Sequence, residues 1–297
     1  MSKAYRLILQ IMRLRLELMK IPLSLLIGLS TFFGFILKNN RPDGSIIMIT
    51  AGVFLLACGG GVLNNFQDRK TDRLLGRTMH RPLPAGLIRP GHALALSAML
   101  ISSGLAVLYF SDYTIKLSGL GGIGILLYNG IYTPLKSRFF PGLIAGVFCG
   151  MLPPFIGWTG AGGDMFAVEI WCAMTIFALW QIPHFWLILL KHASDYQQFP
   201  VPNLIQRASA RRLEKIVFLW IINFAVMLLA VPVLYMDRAH ITTGWAVVIA
   251  AFSLVMTAGI TVFSPSGKQN YHRAFNHLNG TLLFVMVIVI SDRLMAS

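Results

Sequence analysis

Apolar residues run along this 297-residue chain in long blocks. They lack both the stripe of a soluble amphipathic helix and the alternation of a half-buried strand. Crossing a hydrocarbon core roughly 30 Å thick takes about 20 apolar residues in helical form. Nine blocks meet or approach that length: 18–37, 46–66, 92–110, 115–132, 141–158, 166–190, 216–236, 242–263 and 275–292. The pattern predicts an all-α fold, one membrane-embedded domain over 1–297 built as a transmembrane helical bundle of about nine spans. Between the blocks, two polar intervals stand out by length and content, 67–91 and 191–215. Each begins with polar residues that continue the preceding helix. Intervals on the opposite side, such as SDYT and TGAGGD, are short.

Composition supports the bilayer and adds a direction. Only 12% of residues are charged, against about a quarter in soluble domains. A net charge of +14 would suit nucleic acid, but its distribution speaks for something else. Twenty of the 25 lysines and arginines fall in the N-terminus and in the intervals that share its side. That bias is the positive-inside asymmetry, which places the N-terminus in the cytoplasm and the C-terminus across the membrane. The lipid bilayer is thus an expected partner and nucleic acid is not. The first block has full spanning length and no small-residue cleavage site, so it reads as a retained span rather than a signal peptide. Cys58, Cys149 and Cys172 all fall inside spans, with neither disulfide nor zinc-ligand spacing.

The second block ends on NNFQDRKTD, residues 64–72. Asn64, Asp68 and Asp72 are spaced i, i+4, i+8 and share one helical face. Aspartates at a helix C-terminus oppose the macrodipole, and carboxylates near membrane depth are costly unless paired or bound to metal. An all-oxygen donor set suits Mg²⁺, which typically takes one or two carboxylates together with substrate phosphate oxygens. GRTMHRPLP then supplies Arg77 and Arg81, and TPLKSR supplies Lys136 and Arg138. Guanidinium groups bind phosphate bidentately, and lysine adds a point charge. Together these residues predict a magnesium–diphosphate site, and its place at the end of membrane helices suits a diphosphate carried on a lipid tail.

The interval after the sixth span begins in WQIPHFWLILLKHASDYQQFP. Lys191 and Asp195 are four residues apart, on one helical face, with Tyr196 beside Asp195. His184 follows Pro183 inside the span, and an ionisable side chain there is read as functional by default. His80 and His192 sit among charged loop residues and read as solvated. Glycines at 59–61 and at 119, 121, 122 and 124 give small surfaces for close helix packing, or alternatively room for a bulky ligand.

At these residues the chain resembles the UbiA superfamily of membrane prenyltransferases, marked by an N-x3-D-x3-D motif and a second Asp-containing motif four helices later. Within it, the chain is similar to the protoheme IX farnesyltransferase (heme O synthase) branch. The similarity is carried by RTMHRPLPAG, YTPLKSR (132–138), LPPFIGW (152–158) and QIPHFW followed by DY (181–196). It departs from the branch at Lys20-Ile21-Pro22, where Lys-Pro-Arg is more usual, and at Gly142, where an Asn is expected. Lys191 and Asp195 stand where the wider superfamily has two aspartates.

The resemblance implies transfer of farnesyl from farnesyl diphosphate to a vinyl group of heme b, giving heme O for heme-copper oxidase assembly. It implies Mg²⁺ on Asn64, Asp68, Asp72 and Asp195, and diphosphate on Arg77, Arg81, Lys136, Arg138 and Lys191. Asp68, Asp72, Lys136, Lys191 and Asp195 would carry catalysis. His184 would bind the heme, and Tyr128, Tyr132 or Trp158 would face the allylic cation. It further implies a bacterial cytoplasmic (inner) membrane and contact with heme A synthase or oxidase assembly proteins.

Three other readings compete. A UbiA-type enzyme prenylating an aromatic or quinone precursor keeps the fold and dispenses with His184. An ion-coupled transporter would place its acids in broken helices near the midplane, whereas these sit at helix ends among arginines. A non-catalytic heme-handling protein would need His184 without both Asp motifs. Topology offers a direct check: reporter fusions after residues 80 and 205 should both report the cytoplasm. A reporter on the far side at either point would separate the two motifs.

Overall fold

The computed structural model describes residues 3–112, 114–136, 140–193, 209–235, 241–264 and 268–296, and regular structure among them is helical throughout. The long helices are α1 (Lys3–Leu18), α2 (Ile21–Lys38), α3 (Gly44–Asp72), α4 (Pro90–Asp112), α5 (Ile115–Ile125), α6 (Phe140–Gly160), α7 (Val168–Lys191), α8 (Ala210–Leu228), α9 (Ile241–Phe263) and α10 (Lys268–Met295). Eight helical segments among the described residues are long and apolar enough to cross a membrane. The ninth expected span, 115–132, is present in a different form. It is α5 continued by a π-helical stretch, Leu126–Tyr132, and a single α turn, Thr133–Leu135. A multi-pass membrane bundle is therefore the architecture.

Before the first span, α1 carries Tyr5, Leu9, Met12 and Leu16 exposed at helical spacing, and Arg13 and Arg15 between them. An amphipathic basic helix running directly into a membrane span has the form of one lying at the interface. A tight corner joins it to α2, and the corner residue Lys20 has φ 50°. Lys20 is the one non-glycine residue with positive φ among the described residues. A left-handed backbone on a side chain of this kind costs about 1–3 kcal/mol and persists where the surroundings enforce it.

Two half-bundles share a spine. Helices α2 to α5 form one and α7 to α10 the other, while α6 packs against α2, α3, α5 and α7. The α2–α6 crossing is unusually close. A Cβ at Gly34 would lie 1.9 Å from the Pro154 carbonyl oxygen, and one at Gly157 would lie 1.9 Å from that of Thr31. Both obstructions are backbone, so neither can swing aside. Elsewhere Gly59 meets Ile101, Gly104 meets the Gly52 carbonyl, and Gly121 packs on Leu56 and Leu108, as small-residue packing requires. Gly119 and Gly122 face open space.

Helix α6 also contains Gly142, where a Cβ would lie 2.6 Å from the Lys136 Cα. The missing side chain lets the start of α6 fold back over the residue that reaches the site.

These contacts predict unequal tolerance to methyl groups. Gly34→Ala and Gly157→Ala should each destabilise the protein by at least the 1–3 kcal/mol typical of overpacking, read as a lowered unfolding temperature in detergent. Gly122→Ala should be neutral or slightly stabilising. Equal behaviour of all three would mean that the α2–α6 crossing is wrongly placed.

Candidate active site

Residues 64–72 form the last turns of α3, and nearly every side chain there has a defined task. Asn64, Asp68 and Asp72 are buried, at 4%, 8% and 6% exposure. On a helix end that emerges from a membrane, burial of two carboxylates requires partners. Each of the three residues has a basic one, and each comes from a different part of the chain. Lys20 Nζ donates to Asn64 Oδ1 at 2.7 Å. Lys136 Nζ is ion-paired with Asp68 Oδ2. Arg81 Nη1 donates to Asp72 Oδ2 at 2.8 Å. Asn64 Nδ2 closes the row, donating to Asp68 Oδ2 at 2.9 Å and to Thr133 Oγ1 at 3.1 Å.

The residues between them fasten the elements that supply those cations. Asn65 Nδ2 donates to the Leu18 carbonyl at 3.0 Å, which holds the α1–α2 corner and sets Lys20 beside Asn64. Gln67 Nε2 donates to the Asn129 carbonyl, and Asn129 Nδ2 donates to both Gln67 Oε1 and the Gly60 carbonyl. The π-helical stretch is thereby clipped along α3. Its unusual winding has a local cause. Pro134 has no N–H to give, while the Thr133 N–H and Oγ1 both reach back five residues to the Tyr128 carbonyl. That winding delivers Lys136 to Asp68, in keeping with the tendency of π segments to occur at functional sites. After α3 the chain turns back over its own end. Arg73 Nε donates to the Pro84 carbonyl and Thr78 Oγ1 to that of Asp72, which brings Arg81 into place.

Beside Lys20, Asn65 and Arg81 lies a cavity of about 280 Å³. Burial, reinforced by the charges of Arg81 and Lys136, lowers the Lys20 ammonium to about 8, while Asp68 and Asp72 act in the opposite sense. The site thus crowds three cations around two carboxylates. That excess positive charge favours an anion, and the all-oxygen face of Asn64, Asp68 and Asp72 fits a hard divalent cation. Among the described residues no three His, Cys, Asp or Glu side chains cluster to hold a metal. Two carboxylates completed by phosphate oxygens fit Mg²⁺ without such a cluster.

Not every expected residue is part of this arrangement. Arg77 is exposed on the surface turn. Lys191 closes α7 and meets α10, with Nζ 2.9 Å from His272 Nδ1 and 5.4 Å from the Phe275 ring. Arg138, Asp195 and Tyr196 lie outside the described residues, as does most of the interval 191–215. Tyr128 and Tyr132 stack at 5.7 Å, and Tyr132 stacks on Phe185 at 5.7 Å, forming an aromatic row that starts beside Thr133. Trp158 does not belong to that row. It lies near the opposite end of α6, with Lys38 over its ring and its Nε1 donating to the Asp164 carbonyl. A carbocation at the Asp motif is out of its reach.

His184 lies two turns inside α7, and Asn279 of α10 meets it at 2.8 Å. Sequence reasoning missed both Asn279 and the part played by Lys20. Lys20 was noted for its place in Lys20-Ile21-Pro22 but given no role in the site, and Asn279 was counted only within the expected span 275–292.

The chain matches the model of the UbiA prenyltransferase family over residues 27–280. It is 31% identical to a protoheme IX farnesyltransferase of Oleidesulfovibrio alaskensis, covering 92% of this chain and 93% of the relative. It is 39% identical to a protoheme IX farnesyltransferase of Geobacter sulfurreducens, covering 71% and 77%. Among solved structures, it resembles a digeranylgeranylglyceryl phosphate synthase with TM-score 0.74 at 16% identity, covering 96% of this chain and 99% of that one. A UbiA homolog from Archaeoglobus fulgidus bound to GPP and Mg²⁺ superposes with TM-score 0.67 at 11% identity, covering 93% and 99%. At those identities the two structures bear on the fold alone. The chain belongs to the UbiA prenyltransferase family.

Proposed function

We propose that the protein transfers a farnesyl group from farnesyl diphosphate to a vinyl group of heme b, forming heme O. The observation that carries the transferase half is the buried row of Asn64, Asp68 and Asp72, each held by a cation from a different element. The acceptor half is supported by His184 within α7 and by relatives named protoheme IX farnesyltransferases.

Asn64, Asp68 and Asp72 would hold Mg²⁺, with Asp195 as a further ligand, and the ion would neutralise charge on the diphosphate oxygens. Lys136, Arg81 and Lys20 are close enough to the carboxylates to turn from them to an arriving diphosphate. Arg77, Arg138 and Lys191 are proposed to extend that ring of cations. The farnesyl C–O bond breaks with its electron pair leaving on the diphosphate, whose growing charge these preorganised cations stabilise. The vinyl group of the acceptor attacks the allylic carbon, a C–C bond forms, and water completes the product by adding hydroxide and releasing a proton. Tyr128, Tyr132 and Phe185 present ring faces beside Thr133, where they exclude water and stabilise the allylic cation. The surface turns of 67–91 and the interval 191–215 would cap this chamber from the cytoplasm, with the bilayer as the route for the farnesyl tail. Heme A synthase or oxidase assembly proteins are the expected recipients of the product.

Asp68→Asn and Asp72→Asn remove charge with little change of volume. Each should abolish heme O formation in membranes, measured by mass spectrometry of extracted hemes, while leaving the protein in the membrane. Arg81→Gln, which removes one stabilising donor, should lower the turnover rate by about 10²–10³-fold. A chelator should stop the reaction, and Mg²⁺ or Mn²⁺ should restore it. Undiminished activity in either aspartate variant, or in the chelator, would remove the metal–diphosphate site from the account. A prenylated aromatic acid in place of heme O would change the acceptor and leave the site intact.

A further inference from the structure

Trp180 and His184 sit one turn apart on α7 and converge on a single atom of α10. Trp180 Nε1 lies 3.2 Å from Asn279 Oδ1, and His184 Nδ1 lies 2.8 Å from the same oxygen. Asn279 Nδ2 points the other way and donates to the Phe275 carbonyl at 2.7 Å. An indole nitrogen only donates, so the amide atom that faces it must be the oxygen. An amide oxygen only accepts, so the imidazole nitrogen facing that oxygen must carry the hydrogen. The three side chains therefore fix one tautomer of His184, with hydrogen on Nδ1 and a bare lone pair on Nε2.

The ring is held as firmly as its protons. Trp180 lies 4.7 Å from it, Phe275 4.9 Å, and Phe185 meets it edge-on at 5.9 Å. Pro183 sits immediately before it and leaves the Leu179 carbonyl without its helical donor, a known source of helix distortion. His184 is half-buried, and its Nε2 has no hydrogen-bond partner among the described residues. A neutral imidazole oriented through Nδ1–H, with Nε2 open, is the form that ligates a metal. Phe185 also stacks on Tyr132, so the His184 ring adjoins the aromatic row that leads towards the diphosphate site.

We propose that Asn279, assisted by Trp180, is a positioning residue that locks His184 as the Nδ1–H tautomer and presents Nε2 to the iron of the heme acceptor. This rests on the heme reading above. Asn279 touches neither substrate; it acts through the ring it orients. A neutral amide acceptor makes the imidazole a moderate donor, weaker than one backed by a carboxylate, so the porphyrin is held without being trapped.

The test uses the full-length protein in lipid nanodiscs, labelled with ¹⁵N-histidine, with the His184 signal assigned by its loss in His184→Ala. Without heme, the wild type should show a protonated Nδ1 and a bare Nε2. Asn279→Leu should populate the opposite tautomer and weaken hemin binding by about 10–100-fold, the range seen when a ligand's hydrogen-bond partner is lost. Asn279→Asp keeps the acceptor. It should restore the tautomer and most of the affinity, and raise the iron–histidine stretching frequency of the ferrous complex, because a carboxylate strengthens the imidazole as a donor. A wild-type ring protonated on Nε2, or an Asn279→Leu variant with wild-type tautomer and affinity, overturns the positioning role while the heme reading stands. The expected tautomer together with an unchanged heme spectrum in His184→Ala overturns the ligand role and removes His184 as support for the heme reading.

Discussion

Two buried carboxylates at the end of α3 impose the constraint on which the rest of this protein depends. Asp68 and Asp72 leave water where a bilayer begins, and an unpaired charge there would cost several kcal/mol. The chain meets that cost with cations gathered from far apart in sequence. Lys136 comes at the end of a helix whose winding changes over Leu126–Tyr132, and Arg81 from a turn folded back on α3. Lys20, on the amide of Asn64, comes from a corner with a left-handed residue. The left-handed corner at Lys20, the π stretch before Lys136 and the turn that carries Arg81 each lie at a point where one of these cations is delivered. The strain at Lys20, the π winding before Lys136 and the close approach at Gly142 all follow from one electrostatic requirement. A site assembled in this way is preorganised for an anion that arrives with its own divalent cation, because that ligand supplies both kinds of partner at once.

The two half-bundles divide the chemistry. Residues of α2 to α5 and the turn after α3 build the carboxylate row, whereas α7 and α10 hold His184 in a collar of aromatic rings and one amide. The aromatic row of Tyr128, Tyr132 and Phe185 bridges them, and Gly146 of α6 makes room for it, since a Cβ there would lie 2.8 Å from the Phe185 ring. In the proposed reaction, the donor's leaving group and the acceptor's ring would have separate supports joined by an apolar aromatic wall.

Much of this was legible in the sequence because the relevant signals are local. Hydrophobic block length gave the bundle, and i, i+4, i+8 spacing gave the shared face of Asn64, Asp68 and Asp72, since both follow from helix geometry alone. Which basic residues meet that face is a matter of tertiary structure. Arg81 and Lys136 were among the candidates and do meet it, but nothing local separated them from Arg77 or pointed to Lys20. Arg77 and Arg81 look equivalent in GRTMHRPLP, yet the turn held by Thr78 and Arg73 points only Arg81 at Asp72. Lys20 counted as one charge in a basic N-terminus, because a left-handed corner leaves no mark on composition. Trp158 was misplaced because a candidate aromatic in a span says nothing of its depth, and this one lies at the far end of α6. The ninth span could be counted but its π winding could not, although the Thr133–Pro134 pair is its cause.

The central claim is that the carboxylate row is charge-compensated by the protein's own cations until a diphosphate takes them over. Mn²⁺ binding, followed by electron paramagnetic resonance on the purified protein with and without inorganic diphosphate, tests it most directly. The account predicts weak Mn²⁺ binding alone, because the ion must displace Lys136 and Arg81. It predicts much tighter binding when diphosphate is present, with the gain lost in Asp68→Asn. Equally tight Mn²⁺ binding without diphosphate would contradict it, since the row would then be a free-standing metal site and the three cations incidental.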